Sequence, residues 1–128
     1  MIIEKVLEVD NDTCNSSGGS LQGTVTADYY DLVEAFGEPC YRAEEDGGFD
    51  KVWTAWRLSF KVKTDDCEED DWDYVDATIY DWKEDSPYTS RSGTYTWNVG
   101  GRDYEASEAI DMFLEQKGLT KPVPEAIL

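Results

Sequence analysis

Two periodicities and one compositional feature of this chain predict an α+β domain, with an antiparallel sheet of about four strands and two helices packed on one face. From Asp50 to Lys63 the residues alternate: Val52, Thr54, Trp56, Leu58, Phe60 and Val62 share one parity, and Arg57, Ser59, Lys61 and Lys63 the other. Elsewhere the period lengthens to that of a helix, with Tyr29, Leu32, Val33 and Phe36 at i, i+3, i+4 and i+7. Five Trp, eight Tyr and four Phe supply a core that a disordered acidic chain lacks.

Met1 to Val9 alternates weakly and predicts a first strand. Asp10 to Ser20, rich in Asn, Ser, Asp and Gly, reads as a loop. Its Asp10, Asn11, Asp12 and Asn15 lack the glycine and closing glutamate of an EF-hand, so a solvated turn is the reading and no metal is assigned. A helix is expected over Thr26 to Phe36, with Thr26 as N-cap and Asp28 in the first turn, where the helix dipole favours an acid. Gly37 and Pro39 stop it. After the long strand, Tyr74 to Trp82 predicts the next, with Val75, Ala77 and Ile79 facing away from Tyr74, Thr78, Tyr80 and Trp82. A turn over Glu84 to Gly93 precedes a third central strand, Thr94 to Val99, which Gly100-Gly101 breaks. The last helix is expected from Asp103 to Lys117, burying Ala106, Ala109, Ile110, Phe113 and Leu114 and keeping Glu105, Glu108, Asp111 and Glu115 wet. Gly118, Pro122 and Pro124 end it. One domain over residues 1–120 with a loosely held tail at 121–128 is the expected organisation.

Charge narrows the kind of partner. The 128 residues carry 29 acids against 11 bases, a formal −18, and self-repulsion of that size opposes compaction. The peak is Asp65 to Asp76, where Asp65, Asp66, Glu68, Glu69, Asp70, Asp71, Asp73 and Asp76 place eight carboxylates in twelve positions. Such a surface repels phosphate and anionic lipid, which argues against nucleic acid or membrane as a direct partner. No apolar run approaches the roughly 18 residues of a membrane span, and the first residues do not read as a charged-then-apolar signal peptide. Cys14, Cys40 and Cys67 are odd in number and lack metal-site spacing, so reduced thiols in a cytoplasm are expected.

Catalysis is poorly provided for. There is no histidine, so the usual general base and commonest metal ligand are missing. In a chain with 29 acids, two adjacent carboxylates are ordinary surface charge. The more specific feature is Gly100-Gly101-Arg102 ahead of the second helix, where glycine backbone and an arginine fork suit an anion. Arg91 in the preceding turn is a possible second fork; a tight strand-to-helix turn is the plainer explanation. Tyr74, Tyr80 and Trp82 share a strand face suited to stacking a base, although core beneath a helix is the commoner use.

Three ordered segments, Leu32 to Pro39 (LVEAFGEP), Ala77 to Lys83 (ATIYDWK) and Trp97 to Gly101 (WNVGG), accompany Trp56 in the strand between the first two. Taken together they resemble a group of small uncharacterised bacteriophage proteins across roughly Leu21 to Glu115. The resemblance implies a phage product acting in a host bacterial cytoplasm and carries over no catalytic residue. The acidic insertion between the central strands stands apart from it.

Two functions from different classes follow. One is a non-enzymatic, cofactor-free inhibitor of anti-restriction or anti-CRISPR type, which presents a DNA-mimicking acidic surface to a basic host protein that binds nucleic acid. In that reading Asp71, Asp73 and Asp76 extend a carboxylate row along a strand, at about 6.6 Å per two residues. The other is a small-ligand binder that sequesters a host signalling nucleotide with Gly100, Gly101, Arg102 and Arg91. Acid enrichment for solubility in high salt is a third explanation of the charge. The three differ in how charge is distributed over the surface.

Overall fold

A computed structural model describes residues 3–11, 20–42, 52–65, 71–84, 86, 88–102 and 104–119. In chain order the elements are β1 (Ile3–Asp10), β2 (Ser20–Asp28), α1 (Tyr29–Phe36), β3 (Tyr41–Arg42), β4 (Thr54–Thr64), β5 (Asp73–Tyr80), β6 (Thr94–Gly101) and α2 (Glu105–Gln116). The class is α+β as expected, but among the described residues the sheet has six strands rather than about four, all paired antiparallel. Its order is β1-β4-β5-β6-β2, with the short β3 also paired to β4.

The extra strands come from segments whose polar residues disguise them. Ser20–Asp28 contributes only Val25 and Ala27 to the buried side. Thr26 is therefore the third pair from the end of β2, opposite Thr96, and not a helix cap. The chain passes from strand to helix without a turn at Asp28, whose side chain accepts from Thr94 Oγ1 instead of capping α1. β6 also runs two residues past its expected end, through Gly100 and Gly101. Glycine is required at the first of these: a Cβ on Gly100 would stand 2.6 Å from Thr78 Oγ1 on the neighbouring strand.

The register sets which side is inside. Trp56 pairs with Ile79 and Ile79 with Val99; Phe60 pairs with Val75. All five are buried, together with Leu58, Val62, Ala77 and Trp97. Both helices cover this side, because Phe36 of α1 and Phe113 of α2 stack on each other at 5.4 Å between centroids and each meets Phe60 edge-on. Trp56 meets Trp97 at 5.3 Å and donates its indole N–H to the Gly37 carbonyl, tying β4 to the end of α1. Gly37 and Gly118 take positive φ of 87° and 73° at the ends of the helices, as anticipated for those positions. Glu105, expected on the wet side of α2, is buried at its first turn. Residues 120–128, and with them the expected tail, lie outside the described residues.

The opposite side of the sheet is not covered by either helix. Arg57, Trp72, Tyr74, Asp76 and Trp82 are exposed there or at its ends, with Lys61 and Tyr80 partly so. The aromatic row Tyr74, Tyr80, Trp82 is therefore not core beneath a helix. Nor do Tyr95 and Trp97 join it, since they share the helix-covered side and Trp97 is fully buried.

Trp56 is completely buried. Trp56→Ala should cost about 3–5 kcal/mol in urea unfolding, the range for deleting a large core aromatic. A loss below about 1 kcal/mol would contradict the packing described.

Candidate partner-binding surface

β4 and β5 are consecutive antiparallel partners, so their connection lies at one end of the sheet, and the densest acidic segment falls there. Asp65, Asp71, Asp73 and Asp76 are exposed. Asp66, Glu68, Glu69 and Asp70 lie outside the described residues. Asp73 pairs with Val62 and Asp76 with Ser59, positions of opposite parity on β4. The single row of Asp71, Asp73 and Asp76 is thus corrected: three residues apart on a strand means opposite faces. The two nearby lysines serve the local structure. Lys63 Nζ donates to the Asp71 carbonyl at 2.6 Å, and Lys61 Nζ sits 3.9 Å from the centre of the Trp72 ring and 3.7 Å from Glu8.

A second acidic surface lies on the helices. Glu34 and Glu38 are exposed on and just after α1, and Glu108, Asp111 and Glu115 on α2. At i, i+3 and i+7 these three share one flank of α2. Neither 29–38 nor 104–116 contains a lysine or arginine. Partial burial, and then the charge of Glu108, raise the Asp111 carboxyl above its ordinary value. Several of the bases sit on the other side of the sheet: β1 and β4 place Lys5, Arg57, Lys61 and Lys63 on the uncovered face, Lys5 directly opposite Lys63. Charge is therefore uneven rather than cleanly separated: neither helix contains a base, although Arg42 reaches Tyr29 of α1 and Lys117 directly follows α2, while Glu8, Asp10 and Asp76 share the uncovered face with the lysines. The helical acids were legible as a base-free stretch between Arg102 and Lys117, but their lining of one flank needed the helix phase.

The proposed anion cradle does not assemble. Gly100 and Gly101 are strand residues paired to β2, and both are buried. Arg91 and Arg102 flank opposite ends of β6, whose eight residues span about 25 Å at strand rise. Arg91 is also committed elsewhere: its Nε donates to Thr54 Oγ1 at 2.8 Å and one terminal nitrogen to the Trp53 carbonyl at 2.9 Å. Beside it the buried Asp81 accepts from the backbone N–H groups of Trp53 and Thr54 and from Ser90 Oγ. This cluster fastens the β5–β6 connection to the start of β4. Nearby, burial and then a hydrogen bond to Glu84 push the Tyr95 phenol up, which keeps it protonated as the donor.

No protein family, curated protein or solved structure matches this chain. The surface must be judged on its own chemistry. No helix among the described residues is long and apolar enough to cross a membrane.

The Asp111 shift makes a pH prediction. A carboxyl raised in the folded state binds its proton more tightly there than in the unfolded chain, so stability falls as pH rises through that window. Asp111→Asn should remove this contribution. It should stabilise the protein at pH 7 by no more than about 0.5 kcal/mol, as an exposed change does. The gain over the parent should vanish as pH falls below the ordinary carboxylate range. An equal effect at pH 3.5 and pH 7 in thermal unfolding would contradict the assignment.

Proposed function

We propose that this chain is a non-enzymatic binding protein that offers an acidic surface to a basic, nucleic-acid-binding partner, in the manner of an anti-restriction or anti-CRISPR inhibitor. The observation that carries the reading is the base-free acidity of the two helices. Acids line the exposed flank of α2, the end of α1 and the β4–β5 end of the sheet, while Lys5, Arg57, Lys61 and Lys63 lie on the uncovered face and Arg91 is buried. Enrichment for solubility alone calls for interspersed signs, not two helices without a base between them.

Physical scale supports it. Glu108, Asp111 and Glu115 follow one another at about 4.5 and 6 Å along the helix axis, from a rise of 1.5 Å per residue. One strand of duplex DNA carries a phosphate every 3.4 Å of axis, so this flank offers a groove of lysines and arginines about two-thirds of the charge density of one DNA strand. A surface of this kind acts first through long-range attraction, which raises encounter rates and weakens with salt. The resemblance to phage proteins is consistent with a host protein as the target.

The test is a set of charge-neutral variants. Glu108→Gln, Asp111→Asn and Glu115→Gln together, and separately Asp65→Asn, Asp71→Asn and Asp73→Asn, should stay folded. Each set should slow association with a partner captured from host lysate by about tenfold at low salt and flatten its salt dependence. The parent protein alone should not retard duplex DNA in a gel. Unchanged association rates for both sets at physiological salt, or clear retardation of DNA by the pure protein, would overturn the reading.

A further inference from the structure

β1 is an edge strand, and a side chain imitates the missing neighbour at one point along it. The Gln116 amide accepts from the Val6 N–H at 2.9 Å and donates back to the Val6 carbonyl at 3.1 Å, the two bonds an added antiparallel strand would make. Both backbone groups of Val6 therefore point away from β4. Past the irregularity between Val6 and Glu8, the pairs are Glu8 with Lys61, Val9 with Phe60 and Asp10 with Ser59. On β4, Phe60 has the parity of Val62, so alternation turns the N–H and C=O of Val9 outward as well. Among the described residues nothing caps Val9 as Gln116 caps Val6.

A groove of about 600 Å³ runs along this uncapped edge, lined by Leu7 to Asp10 and walled by Phe113 and Lys117 on one side and Lys61 and Tyr74 on the other. Each wall pairs one aromatic ring with one lysine. Its outer rim carries Asp10 and Glu8, the latter 3.7 Å from Lys61 Nζ, on the parity facing away from the helices. The length, four residues or about 13 Å at strand rise, fits a short extended segment.

We infer that the β1 edge at Leu7–Asp10 receives an extended, cationic segment of the basic partner, which adds a strand to the sheet. Main-chain bonds to Val9 give the segment its register. Alternate apolar residues face Val9 and Phe113, and the intervening lysines or arginines face Glu8 and Asp10. The net −18 favours this occupant over a second copy of the chain, which meets like charge over its whole surface. The inference rests on the proposed basic partner but adds a backbone requirement that surface charge alone does not impose.

That requirement supplies the test. A fluorescein-labelled octapeptide alternating lysine and valine is titrated against the full chain by fluorescence polarisation. Two further versions are methylated at the odd or at the even backbone nitrogens. One methylated version should bind at least tenfold more weakly than the parent peptide and the other about equally, because only one set of N–H groups faces β1. The variant Val9→Pro, which removes the outward N–H from an edge position where proline is tolerated, should lose the same factor while retaining its circular dichroism. If both methylated peptides bind as the parent does, the peptide sits on surface acids alone, and the edge inference falls while the proposed function stands. If the parent peptide does not bind but the acid-neutral variants still lose their lysate partner, the edge is again excluded. Loss of both readouts removes both readings. Self-association of the wild type that Val9→Pro abolishes would assign the edge to a second copy and overturn the inference.

Discussion

The register of β4 against β5 and β6 is the constraint on which the rest of the molecule depends. It stacks Trp56, Ile79 and Val99 in one row and Leu58, Ala77 and Gly101 in the next, and it leaves Arg57 and Lys61 on the other face. A slip of one residue would exchange the faces, burying cations and exposing Trp56 and Phe60. The aromatic contacts joining Trp56, Trp97, Phe60, Phe36 and Phe113 penalise that slip heavily. They are also what allows so acidic a chain to collapse, since the apolar area they remove from water opposes the self-repulsion of a net −18. The uneven charge follows in part from the same parity: the cations of β4 lie opposite the helix-covered side, and the helices contribute no bases of their own.

Polar burial among the described residues gathers mainly at the far end of the sheet, around Thr54, Asp81, Ser90 and Arg91, where it closes the β5–β6 connection. Asp81 is fully buried yet well provided for, with two backbone donors and the Ser90 hydroxyl. Several hydrogen bonds of this kind offset the loss of hydration that an isolated carboxylate would suffer. Arg91 lies in the same cluster, so the arginine that looked available for an anion is part of the scaffold. This is why the nucleotide-sequestering alternative loses its fork, while the acidic surface loses only the idea of one unbroken strand row.

Much of this was legible in the sequence, for reasons that differ by element. β4 announced itself through eleven residues of alternation, and α1 and α2 through apolar stripes followed by Gly37 and Gly118. β2 was hidden because threonine, glycine and glutamine fill most of its positions and only Val25 and Ala27 reach the core. Thr26 before an apolar helical run also imitates a cap. Gly100 and Gly101 looked like a break because glycine is usually one; here it yields space to Thr78. The acidic segment was conspicuous, but which carboxylates share a face depends on strand parity and helix phase. The β1 groove could not be read from sequence at all, since Gln116 and Val6 are 110 residues apart.

The proposed function has this surface take the place of DNA on a basic partner. The most direct measurement is competition: the captured partner is bound to a labelled duplex, and the acidic protein is added at fixed salt. Mimicry requires that the duplex is displaced and that raising the duplex concentration shifts the displacement curve in proportion. Formation of a stable ternary complex, with the duplex retained at saturating acidic protein, would contradict it.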